Sequence, residues 1–132
     1  MDLTATSTTG VTLPNNSNIK SIKLPGTIRD LKLVGQQKLS TFEIGSYSNL
    51  RTVEINDTPY IDTMQFVNKC REVGSNINSL TLLNINWVDA DLNVLNYILN
   101  IPNTSITGII QLKSTETLDF NTKYELLKKF GN

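Results

Sequence analysis

Few side chains in this chain have reactive chemistry to offer. The sequence contains no histidine and one cysteine, Cys70, which removes the commonest general base, the commonest metal ligand and any internal disulfide. Asp62, Asp89 and Asp91 are the acids whose spacing suggests calcium or a carboxylate pair. Each precedes an amphipathic run, however, and the glycine and twelfth-position glutamate of a calcium loop are missing, so helix capping is the better reading. Trp87, Tyr60 and Tyr97 are the aromatics that a sugar-stacking platform would use. The alternative for Trp87 is a corner packed against the next helix. Cys70 falls on the apolar stripe of its own run and reads as an inert buried thiol. These residues predict no catalytic site, no metal and no cofactor. Three Asn-x-Ser/Thr matches, at Asn15, Asn56 and Asn103, carry little weight in a chain so rich in Asn and Thr.

Composition points the same way. Twelve basic residues balance twelve acidic ones, so no net field favours a polyphosphate or an anionic membrane, and nucleic acid and membrane are not expected partners. Charged residues are only 18% of the chain; Asn, Thr and Ser supply much of the polar surface, as suits strands and turns. No apolar run approaches the roughly 20 residues of a membrane span. Residues 1–10 lack the basic start and apolar core of a signal peptide.

The element that must position any surface is a repeat. The pattern apolar-x-x-apolar-x-apolar begins at Ile28, Leu39, Leu50 and Ile61, 11 residues apart each time, and returns at Ile77. A looser copy begins at Ile106, and an upstream copy at Ile19 runs into Pro25. One strand and one corner cannot close a coil; two such units can. Alternate copies then place the principal strands at Leu31–Leu33, Val53–Ile55, Leu80–Leu82 and Ile109–Leu112, with coils starting at Ile28, Leu50, Ile77 and Ile106. The return limb is strand-like at Leu39–Ile44. Next comes a helix opened by Asp62 and Gln65, carried on Phe66, Val67, Cys70 and Val73, and stopped by Gly74. A second helix, capped by Asp89 or Asp91, turns Leu92, Leu95, Ile98 and Leu99 inward and ends before Pro102. A third is expected on the stripe Phe120, Tyr124, Leu127 and Phe130.

The segments IKLPGTIRDLKL, LSTFEIGSYSNLRTVEINDTPYIDT, LLNINWVDADLNVLNYIL and YELLKKFGN carry this pattern over residues 19–132. In them the chain resembles irregular leucine-rich-repeat proteins of bacteria and their phages, both structural proteins of gut-bacterial phages and prophages and cell-surface repeats of the BspA type. The resemblance implies an α/β leucine-rich-repeat-like solenoid with a parallel sheet on one side and a return limb that is extended early and helical toward the C-terminus. The family places Asn, Cys or Thr three positions after the last strand leucine; this chain has Gln36, Thr58 and Ile85 there, so a regular asparagine ladder is not expected.

One repeat domain over 1–132 follows, with residues 1–18 as an irregular or partial first coil. The short strand fragments near Asp2 and Val11, and an end without a polar cap, suggest a portion of a longer protein or ends that dock on partners. Asp30, Lys32, Thr52, Glu54, Asn56, Ser79, Thr81 and Leu83 lie between the inward positions and form the expected concave binding face. Lys32 and Glu54 are candidates to pair across it. The expected function is a non-catalytic structural or protein-interaction module of a phage virion, with neighbouring subunits or another protein as partner. The alternative is a carbohydrate-binding or adhesin module of a bacterial surface protein. Virion or bacterial cell surface is the corresponding expected location.

Overall fold

A computed structural model describes residues 1–112 of the chain. Nine elements alternate between two layers: β1 (Gly10–Thr12), β2 (Ser21–Leu24), β3 (Asp30–Val34), β4 (Thr41–Ile44), β5 (Thr52–Asn56), α1 (Thr63–Val73), β6 (Ser79–Ala90), α2 (Leu92–Leu99) and β7 (Asn103–Leu112). The expected stripe from Phe120 to Phe130 lies outside the described residues.

The odd positions of this order build one five-stranded parallel sheet, β1-β3-β5-β6-β7, and β2 pairs with β4 in a second parallel sheet. The chain is therefore a mixed α/β protein. Each connection between neighbouring strands of the large sheet carries one element of the second layer: β2, then β4, then α1, then α2. Phe42 on β4 lies 5.9 Å from Phe66 on α1, ring centre to ring centre, and the Tyr97 hydroxyl on α2 donates to Ser75 O just past the end of α1 at 2.7 Å. These contacts continue the second layer from strand into helix.

Strand alternation explains why the core lies between the layers. Residues two apart share a face, so Leu31 and Leu33, Val53 and Ile55, and Leu80 and Leu82 turn inward together and are all buried. Register stacks Val11, Leu31, Val53 and Leu80 in one column and Leu33, Ile55, Leu82 and Ile106 in the next. From the other layer Ile22 and Leu24 join the same cluster, with Val67, Cys70, Val94, Leu95 and Ile98. Full burial of each such aliphatic side chain contributes roughly 1.5–3 kcal/mol.

Both helices begin where an acid caps them. Asp62 accepts from the Gln65 N–H at 3.0 Å and Asp91 from the Asn93 N–H at 2.8 Å, so Asp91 and not Asp89 opens α2. Gly74 closes α1 at φ 71°, a left-handed conformation that costs glycine nothing sterically. Two details of the expected helix faces differ. Val73, the last residue of α1, is 52% exposed, and the buried stripe of α2 is Val94, Leu95 and Ile98, with Leu92 and Leu99 at its half-buried margins.

The last strand also differs from expectation. Ser79 to Leu82 pair with Asn103 to Ile106, so Ile101, buried at 3%, occupies the place of Ile77 and the fourth unit starts five residues before Ile106. Thr104 stands opposite Leu80. A polar residue in that inward slot hides the apolar-x-x-apolar-x-apolar pattern.

The corners after β3 and β5 share one backbone solution, which recurs within β6. Gly35, Asp57 and Asn84, each directly after register-matched Val34, Asn56 and Leu83, have φ of 68°, 49° and 60°. Asn and Asp are the side chains that best tolerate this left-handed turn after glycine. The next residues, Gln36 and Thr58, are buried and bond the corner backbone: Gln36 Nε2 donates to Pro14 O at 2.7 Å and Val34 O at 3.0 Å, and Thr58 Oγ1 donates to Asn56 O at 3.1 Å. Glutamine and threonine thus satisfy backbone groups at these corners. Ile85 does not, and there β6 runs on to Ala90 instead of turning.

Candidate functional site

The outward residues of the large sheet fall into rows because the strands are parallel and in register. Gly10, Asp30, Thr52, Ser79 and Asn103 make one row, and Thr12, Lys32, Glu54, Thr81 and Ser105 the next. Val34, Asn56 and Leu83 make a shorter third row. All eight residues singled out from the sequence therefore lie together on β3, β5 and β6. Adjacent positions within a row are about 4.8 Å apart, the ordinary interstrand spacing.

Sequence reasoning missed the ends of these rows. Asn103 and Ser105 fall outside the apolar pattern that marks Ile109–Leu112, and their polar alternation, Asn103-x-Ser105, is the one local sign of them. With Ser79, Thr81, Pro102 and Thr104 they line a shallow hollow of about 370 Å³. Asp30, Lys32 and Thr52 are exposed, whereas Glu54, Asn56, Ser79, Thr81 and Leu83 are half-buried by their neighbours. Lys32 and Glu54 are register partners, yet they form no ion pair among the described residues. The surface has hydroxyl and amide groups that both donate and accept, with scattered charges of both signs.

The reactive candidates are spread apart. Cys70 is buried on α1, and burial pushes its thiol up to about 12 despite the opposing hydrogen bond to Ser75. That shift disfavours the nucleophilic thiolate. Asp62 and Asp91 cap different helices, and Asp89 sits in β6 at φ 57°. No group of three potential ligands gathers to hold a metal among the described residues. Trp87 is 2% exposed, and its indole Nε1 donates to Thr63 Oγ1 at 2.7 Å. It is thus tied to the first residue of α1, the helix before it, and its ring is withdrawn from any sugar-stacking platform. Tyr60 is 66% exposed, whereas Tyr97 is half-buried with its hydroxyl engaged. The three aromatics form no common surface.

A second concavity has no counterpart in the apolar pattern of the sequence. Between the segment from Asp57 to Met64 and the stretch of β6 from Leu83 to Val88 lies a cleft of about 530 Å³. It opens because β5 ends at Asn56 while β6 continues. No helix among the described residues is long and apolar enough to cross a membrane.

No family model, curated protein or solved structure matches this chain. The two-layered α/β architecture with its mainly parallel sheet is therefore the class that the fold itself defines.

Proposed function

We propose that this protein is a non-catalytic interaction module, a leucine-rich-repeat-like solenoid that presents the rows of its parallel sheet to a protein partner. The observation that carries the reading is the unbroken register from Asp30 through Thr52 and Ser79 to Asn103. It fixes polar side chains on a rigid, extended face backed by a continuous core. Such a face binds through area and complementary hydrogen bonds, which is how repeat proteins generally engage partners. Enzymatic chemistry has little support: the hydroxyls of the face have no neighbouring histidine in a chain that contains none, and the thiol is buried. The pattern's resemblance to phage and bacterial surface arrays supports a virion or a cell surface as its setting, with neighbouring subunits as partners. The carbohydrate alternative loses support from the burial of Trp87.

Capture of a protein ligand by the immobilised chain tests this. The double variant Thr52→Arg with Thr81→Arg is expected to weaken capture at least tenfold, while Glu72→Arg, on exposed α1 surface, leaves it unchanged. Equal loss or equal retention in both variants, or turnover of a polysaccharide by the purified chain, overturns the reading.

A further inference from the structure

The cleft beside β6 has the chemistry of a strand-docking groove. Up to Leu83, β6 is flanked on both sides, by β5 and by β7. Beyond Leu83, β7 alone pairs with it among the described residues. The other edge of β6 faces the cleft. The orientation of that edge follows from Gly108: a Cβ built there would stand 2.1 Å from Ile85 O and 2.6 Å from Ile85 N. Ile85 therefore turns its backbone N–H and C=O toward β7, and strand alternation turns those of Asn86 toward the cleft. No backbone hydrogen bond joins Asn86 to the segment from Asp57 to Met64.

The walls set the remaining requirements. Ile55, Ile61, Met64 and Ile85 supply apolar lining, and among the described residues Asp57 and Asp62 are the only charged ones that line the cleft. Among the described residues no cation offsets them there. Asp62 keeps its capping bond to the Gln65 N–H, so its negative charge stays fixed at the rim. A strand edge wants an extended backbone, the apolar wall wants apolar side chains, and two carboxylates want a cation.

We propose that the cleft docks an extended peptide segment of a partner, which adds alongside β6 at Asn86 and places a lysine or arginine between Asp57 and Asp62. This site shares Leu83 with the sheet face but does not depend on that reading. The occupant is defined by three complementary features: backbone groups for the open edge, apolar residues at alternate positions, and one basic side chain.

Trp87, the chain's single tryptophan, lines the cleft and reports on it. The full chain is probed with an array of pentapeptides bearing a central lysine and varied flanks, and with a matched array bearing central glutamate. Binders are expected in the lysine set, with apolar flanks, and to change Trp87 emission saturably. Replacing the central lysine by glutamate, or N-methylating the peptide backbone, should weaken the best binder at least tenfold. Asp57→Asn with Asp62→Asn should weaken it similarly, since asparagine preserves both the left-handed corner and the helix cap; circular dichroism checks that the fold is kept. The absence of binders, equal binding by the two arrays, or unchanged affinity after N-methylation overturns the proposal. So does saturation of the cleft by butylamine at the affinity of the best peptide, which would make it a cation site without strand pairing.

Discussion

The Gln36 N–H donates to Thr58 Oγ1 at 3.3 Å, joining two buried polar residues 22 positions apart. Because the same hydroxyl donates to the carbonyl of Asn56 at 3.1 Å, one side chain satisfies backbone groups of two successive corners. Thr58→Val keeps the shape and removes the hydroxyl. Leaving the buried Gln36 N–H without that partner is expected to cost about 1–3 kcal/mol in urea denaturation. Thr58→Ser, which keeps the hydroxyl, should cost less.

Gly108→Ala is expected to be far more damaging than Gly74→Ala. At Gly74 the space around an added Cβ is empty, so the penalty is that of a left-handed non-glycine residue, about 1–2 kcal/mol. At Gly108, where φ is 124°, the methyl group would collide with the Ile85 backbone, and β6 and β7 would have to separate locally. Equal midpoints for the two variants in thermal melts would show that the close approach of Gly108 to Ile85 does not require glycine.

Thr63→Val should destabilise the fold by about 1–3 kcal/mol, because it strands the Trp87 indole N–H in a buried position. Native tryptophan emission gives an independent readout. It is expected to be blue-shifted in the folded chain and to move to the red on unfolding at the same midpoint as the circular dichroism signal.

Stability should fall as pH rises through the alkaline range. Burial raises the Cys70 thiol from 9.0 to about 12 and the Tyr97 phenol from 10.0 to about 12, and Cys70 adds to the effect on Tyr97. Both groups are neutral when protonated, so the folded chain holds protons that the unfolded chain releases between these limits. Their contribution is present below pH 9 and is lost as pH climbs from 9 toward 12. Urea midpoints across that range should decline less steeply in Cys70→Ala than in the parent. Iodoacetamide should leave Cys70 unmodified in the native chain at pH 8 and alkylate it in denaturant.

Much of the architecture is legible in the sequence wherever apolar spacing and cap chemistry agree. Leu31 with Leu33 and Val53 with Ile55 announce inward strand faces, and Asp62 and Gly74 bracket α1 to the residue. The fourth strand is obscured because Thr104 takes an inward slot that hydrophobic patterning reserves for an aliphatic residue. The long extension of β6 is obscured for a different reason: Ile85 stands where a corner-bonding polar residue would end the strand, and one position offers no local sign of this. The outward rows follow from strand alternation once register is known. The cleft does not, since it depends on where β5 stops relative to β6, a property of two segments far apart in the chain.

From Gly10 to Asp30, then to Thr52, Ser79 and Asn103, the matched residues of one row recur after 20, 22, 27 and 24 residues. The ladder accepts every one of these intervals, with strand or helix filling the return. Evolution can therefore lengthen a crossing without disturbing the rungs, whereas a single-residue slip inside a strand would turn its core outward. Variation among descendants of such a chain should accumulate as insertions at the corners and the far layer, so that the character of the sheet face and overall size drift separately.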